Sequence, residues 1–109
     1  MKSQVFPYNS IITQDLGGGV TRKILAYCPE MMIVEVSFEK GGTGAMHKHP
    51  HIQNTYVKEG VFEFTIEGEA VKVYAGDSIT FASNAEHGTV CLEKGVLLDI
   101  FTPMREDFL

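Results

Sequence analysis

The stretch VFEFTIEGEAVKVYA, residues 61–75, decides the fold. Phe62, Phe64 and Ile66 share one parity and Glu63, Thr65 and Glu67 the other, so an extended chain here turns an apolar face to protein and a polar face to water. The Glu67-Gly68-Glu69 segment joins this strand to AVKVYA (70–75), which makes the pair a hairpin. The same alternation recurs upstream in MIVEVSFE (32–39), where Ile33 and Glu35 alternate with Val34, Val36 and Phe38. ILAY (24–27), TYVKE (55–59), SITFA (78–82), TVCLE (89–93) and VLLDIF (96–101) are further strand candidates. Turn chemistry at Gly60, Gly76-Asp77, Asn84, Gly88 or Gly95 bounds each of them. No window carries a sustained apolar stripe at helical spacing, and only the tail after Pro103, MREDFL, has room for one helical turn. The chain reads as all-β, and its roughly nine short strands must pack as two sheets or close into a barrel, because an open sheet of that size leaves long exposed edges.

Composition adds limits rather than an activity. The 109 residues make one domain, 1–109, and 44% hydrophobic with 21% charged residues is ordinary for a globular chain. Nine basic against 14 acidic residues give a net charge of −5 with no cluster of Lys and Arg, which argues against nucleic acid as a partner. No apolar run approaches the length of a membrane span, and MKSQVFPYNS lacks the apolar core of a signal peptide, so a soluble, cytoplasmic protein is expected. Cys28 and Cys91 form no CxxC pair and are too few for a disulfide framework; buried free thiols are expected. Gly17-Gly18-Gly19 lacks the Lys-Ser/Thr and following helix of a phosphate cradle and reads as a flexible early loop. Residues 1–40 carry no recognisable motif.

The histidines carry the chemistry. His47, His49 and His51 share parity, so on an extended segment their rings project to one face, and Gln53 continues that parity. His87 lies far enough along the chain for a neighbouring strand to bring it to the same place. A solvated histidine patch is the plain alternative, but an HxHxH segment with a distant fourth histidine favours a metal ion.

The last strand candidate holds a second group. In VLLDIF, Leu97, Asp99 and Phe101 face one way and Val96, Leu98 and Ile100 the other. A carboxylate among apolar residues is costly to bury unless hydrogen-bonded or paired, so Asp99 either points into a polar pocket or sits on an exposed edge strand, as a structural or a catalytic residue. Arg105 follows in PMRED, where it can pair with Glu106 or Asp107 or present its planar fork to a substrate carboxylate. A strand apolar on both faces also needs cover on both, which favours a homodimer.

These residues resemble two sequence motifs of the cupins. Gly41-x5-His47-x-His49-x3-Gln53-x6-Gly60 is similar to the first cupin motif (41–60) at every spacing, with Gln53 where most cupins have Glu. Gly76, Ala82, Asn84 and His87 resemble the second motif (76–87), with Ala82 and Asn84 replacing the usual Pro and Gly; Asn tolerates the left-handed conformation that Gly would have taken. The resemblance implies a double-stranded β-helix, or jelly-roll barrel, holding an ion by His47, His49, Gln53 and His87. His51 is then left at the rim or behind the ligands. With Gln53 in place of Glu, the ion keeps its full double charge, attracts anionic oxygen and acts as a Lewis acid. Ni²⁺ or Zn²⁺ suits such a site, and Mn, Fe, Co or Cu are not excluded by imidazole ligation.

From about Gly41 to the end, HKHPHIQ and DIFTPMREDFL (99–109) look like the KdgF type of small cupin, the pectin-degradation proteins that linearise unsaturated uronates. That resemblance implies a small anionic sugar substrate, Asp99 as general acid and base, Phe101 packed on the sugar and Arg105 on its carboxylate. Two other readings remain open for these residues: a different small-cupin metalloenzyme, such as a non-haem iron dioxygenase or a sugar-acid isomerase, and a ligand-binding cupin without catalysis.

Overall fold

The computed structural model describes all 109 residues. After a 3-10 turn at Tyr8–Ser10 the chain runs through β1 (Gln14–Gly17), β2 (Val20–Cys28), β3 (Met31–Phe38), β4 (Thr43–His47), β5 (Ile52–Ile66), β6 (Glu69–Tyr74), β7 (Ser78–Phe81) and β8 (His87–Thr102). A second 3-10 turn, Glu106–Phe108, closes it within the MREDFL tail. All pairings are antiparallel, in the order β1-β2-β3-β8-β5-β6, with β4 also on β8 and β7 also on β5. This is an all-β jelly roll, as the alternation and the motif resemblance require.

The long strands β5 and β8 pair along their whole length, from Ile52 opposite Thr102 to Ile66 opposite His87. Each serves two layers. Residues 87–93 of β8 lie between β4 and the second half of β5, whereas residues 95–102 lie between β3 and the first half of β5. The register slips repeatedly between Val57 and Phe62, where the strands bend. Gly60 and Gly95 meet at that bend: a Cβ on Gly60, whose φ is 85°, would lie 2.6 Å from the Gly95 Cα. From the sequence these two glycines are expected to end strands. They are instead bends inside single strands, which merge 55–59 with 61–67 and 89–93 with 96–101; with β1 and β4, which no candidate covers, the strands number eight.

The inward faces of the two layers meet in one core that includes Val34, Val36, Val57, Phe62, Phe64, Phe81 and Leu97. Phe62 meets Phe38 edge-on at 5.2 Å across it. The Glu67-Gly68 turn has φ of 48° and 85° and closes the β5–β6 hairpin. Gly17-Gly18-Gly19 is not a loose loop: all three residues have positive φ, and Gly17 pairs with Val20, which makes a tight β1–β2 hairpin. Both cysteines are free thiols, but only Cys91 is buried; Cys28 is half-exposed on β2. No helix is long and apolar enough to cross a membrane.

Candidate metal centre and its cavity

The apolar core gives way to a cavity of about 410 Å³ where β4 ends and β8 begins. His47, the last residue of β4, is the register partner of His87, the first of β8. The chain then leaves β4, bends at Pro50 and His51 and enters β5 at Ile52, which carries His49 back over the cavity. The 47–51 segment is therefore not one extended strand with three rings on one face. His47, His49 and His87 come together by a strand pair and a loop, and they bring one ligand atom each within 4.8 Å of the others. His51 stays outside this group, its Nε2 on the Met104 carbonyl at 3.1 Å.

Each of the three rings places Nδ1 against a main-chain carbonyl: Ala45 for His47 at 2.7 Å, His51 for His49 at 3.0 Å and Ala85 for His87 at 2.9 Å. With the proton on Nδ1 in those contacts, Nε2 of each ring is left with the lone pair that can ligate. The His87 Nε2 is buried without any partner. Burial holds both His49 and His87 below the ordinary imidazole range, so the neutral form that a metal needs is the favoured one. Phe81 stacks on His87 at 4.3 Å and fixes its plane. Asn84, at φ 61°, occupies the left-handed conformation expected of it, and its amide donates to the His49 carbonyl at 2.7 Å.

Gln53, on β5, is buried, and its Oε1 lies 2.9 Å from His49 Nε2. A hydrogen-bond chain sets that orientation. Thr55 donates its one hydroxyl proton to Asp99 Oδ1 at 2.7 Å, so its oxygen must accept from Gln53, whose Nε2 stands 2.9 Å away. The amide oxygen is thereby turned to the histidines. A neutral His49 has one proton and faces two carbonyl oxygens, that of His51 and that of Gln53; a cation between Nε2 and Oε1 removes the lone-pair conflict. The residues present fit a divalent ion, and the triad His47, His49 and His87 is able to bind one.

Asp99 lines the same cavity on β8, which lies between β3 and β5 and not at an edge. Burial pushes its carboxyl up to about 6, against the opposing pull of the Thr55 and Gln53 donors and of the His47 and Arg105 charges. Phe101, two residues on, is buried with its ring 5.7 Å from that of His49. Arg105 reaches the cavity from the C-terminal segment, and its Nε and Nη2 donate to Asp107 Oδ1 and Oδ2 at 3.0 and 2.8 Å. The pairing with Asp107 is thus real, and it leaves the other edge of the guanidinium unengaged by side chains. Arg22 of β2 and Phe108 are among the cavity residues that the sequence does not single out. The signal for Arg22 was there, since Val20, Arg22 and Ile24 repeat the pattern that made Asp99 conspicuous: a charge inside an apolar alternation.

A jelly roll with a histidine triad at the mouth of its barrel defines a class, and the chain belongs to the cupin family, whose domain matches residues 34–101. Within it the chain is of the small KdgF type. The pectin degradation protein KdgF of Dickeya dadantii is 46% identical over 98 residues, 88% of this chain and 89% of that protein. The structure of KdgF from Halomonas sp. superposes with a TM-score of 0.93 at 36% identity, over 99% of this chain and 100% of that one. An RmlC-like cupin from Shewanella frigidimarina gives 0.93 at 37% identity, over 99% and 97%.

Proposed function

We propose that the protein converts 4,5-unsaturated monouronates, released from pectin or alginate, into linear 4-deoxy-5-keto uronates. In this reading His47, His49, Gln53 and His87 hold one divalent transition metal, and Asp99, Phe101 and Arg105 act on the sugar. One observation carries it: a carboxyl raised to about 6 shares a cavity with three converging imidazoles and an arginine. Such a group populates both protonation states near neutral pH, as a residue that takes a proton and returns it must. The likeness to KdgF proteins supports the substrate class.

The substrate ring has a hemiacetal at C1 and an enol ether at C4–C5. Removal of the C1 hydroxyl proton as the C1–O5 bond breaks leaves an aldehyde at C1 and an enolate at C5. Delivery of that proton to C4 converts the enolate to the ketone. Each proton removed is matched by one delivered, so no water is consumed and no electron changes hands. Asp99 takes the hydroxyl proton and delivers one to C4, while Thr55, donating to Oδ1, fixes the carboxylate in place. Arg105 receives the uronate carboxylate on the edge that Asp107 leaves open. Phe101 closes the apolar side of the sugar and keeps water from the carboxyl. A bound Ni²⁺ or Zn²⁺ supplies Lewis-acid polarisation of substrate oxygen, undiminished by any ligand carboxylate.

The test follows the loss of the conjugated ultraviolet absorbance of unsaturated galacturonate or guluronate. Wild type accelerates it, with or without oxygen, and Asp99→Ala does not. A wild-type rate equal to buffer alone sinks the proposal, and a strict need for oxygen points to a dioxygenase.

A further inference from the structure

Arg22 is the second guanidinium in the cavity, and it comes from β2, outside the part of the chain that matches the cupin domain. It shares an inward face with Val20, which is buried, and Ile24, which packs against the core. Its register partner on β3 is Val36, which in turn pairs with Leu97 of β8, two residues before Asp99. A cation on an inward face is costly unless something compensates it.

The chain offers that cation little. Gln14 accepts from its Nε at 2.7 Å, and the Phe108 ring lies beneath its central carbon at 3.9 Å. No carboxylate pairs with it: the ion pairs are Lys58 with Glu35, Lys94 with Glu39 and Arg105 with Asp107. The nearby Asp107 is bound at both oxygens by Arg105. Arg105 also stands over the Phe108 ring, at 4.3 Å. The two guanidinium groups flank one ring and line the same cavity, so a single carboxylate placed there is offered charge-assisted hydrogen bonds of about 2.8 Å from each. Burial and repulsion from Arg105 both weaken the hold of Arg22 on its proton, as expected of a charge short of a counter-ion.

We propose that Arg22 is a substrate-binding residue, the second arm of a clamp in which Arg22 and Arg105, both resting on Phe108, grip the carboxylate of the sugar acid. The proposal rests on the uronate reading above for its ligand, and it makes β2, rather than the general cupin barrel, the element that selects acids over neutral sugars.

Arg22→Gln and Arg22→Lys are compared with wild type in two measurements on the metal-loaded protein. Steady-state turnover of the unsaturated uronate gives KM and kcat; calorimetric titration with saturated galacturonate and with galactose gives binding without reaction. Arg22→Gln raises KM about tenfold with kcat within about threefold, the pattern of lost substrate binding. It weakens galacturonate by a similar factor and leaves galactose unchanged, and Arg22→Lys recovers part of both losses. Unchanged KM and galacturonate affinity in Arg22→Gln overturns the clamp. So does an equal loss for galacturonate and galactose, which marks a structural role, and so does a wild type that binds no galacturonate and turns over no uronate. Wild-type protein that binds galacturonate through Arg22 but converts nothing leaves the clamp standing and removes the reaction. Should Arg22→Gln fail to fold, Arg22→Lys, which keeps the charge but not the planar fork, decides by the same ratio of galacturonate to galactose affinity.

Discussion

His47, His49 and His87 each give one ring nitrogen to a main-chain carbonyl, whereas Arg22 and Arg105 are held by side chains: Gln14, Asp107 and the face of Phe108. The carbonyls belong to β4 and to the 48–51 and 82–86 loops, which Asn84 and Ser83 tie together through the carbonyls of His49 and Pro50. Ring orientation on the histidine side is thus set before any ligand arrives. The arginine side has planar groups stacked on one ring and a carboxylate that a substrate carboxylate resembles. In the proposed reading one side is set for fixed coordination, and the other keeps donors open for an added anion.

The largest expected effect strikes the rigid side. His87→Ala removes the buried Nε2 and the ring stacked on Phe81, and it lowers metal affinity by more than the roughly 100-fold that loss of a supporting partner alone costs. Metal content per chain, measured by mass spectrometry after dialysis, falls to background, and turnover falls to the buffer rate. Retention of a full equivalent of metal would remove His87 from the ligand set.

Asp99→Asn separates chemistry from coordination. Turnover drops by about 10² to 10⁴, the range for loss of a positioned acid and base, with metal content unchanged. Stability moves the other way. Because the folded protein holds the Asp99 proton up to about 6 against an ordinary 3.8, ionisation weakens the native state, and the penalty sets in as pH rises from about 4 and is complete above about 6. The metal-free Asn variant therefore melts above wild type at pH 7 to 8, by on the order of 3 kcal/mol at most, and the advantage vanishes near pH 4. Parallel melting curves at all pH values would contradict the buried-carboxyl assignment.

Asp99 is legible in the sequence because a charge breaks an apolar alternation, and Arg22 breaks one in the same way without standing out. The difference is position in the chain. Leu97, Asp99 and Phe101 fall in a segment with a family likeness, whereas Val20, Arg22 and Ile24 gain meaning only once β2 is known to pair through β3 to β8. Residue type and spacing single out the histidines, and the structure brings His47, His49 and His87 together, but parity misleads about geometry, since Pro50 bends the chain before Gln53 and the rings converge from a strand pair and a loop. Gly60 and Gly95 mislead in a related way. A glycine at positive φ, or one with no room for a Cβ, is required equally by a hairpin turn and by a bend inside a long strand, and only the partner strand distinguishes them.

Thr55→Val tests the hydrogen-bond chain that joins the histidine side to Asp99. It leaves shape nearly unchanged but removes the hydroxyl that turns Gln53 toward the histidines and steadies Asp99. Metal affinity falls about tenfold, at the low end for a supporting hydrogen bond, and kcat falls by a similar factor. Thr55→Ser, which keeps the hydroxyl, restores both. A Val variant with wild-type metal affinity would mean that Gln53 is oriented without this chain.

The smallest effect belongs to Asn84, whose side chain makes no hydrogen bond of its own but whose backbone holds His49. At φ 61° a Cβ without a short polar side chain is disfavoured, so Asn84→Ala costs about 1 kcal/mol in unfolding by urea. Asn84→Gly removes that strain but frees the unfolded chain, and the two terms cancel to within about 0.5 kcal/mol. If the loop matters to the rigid side, metal affinity follows stability: Ala weakens it a few-fold and Gly leaves it alone. Equal affinity in all three proteins would place the rigidity of the histidine group in β4 and β8 rather than in the loops that join them to their neighbours.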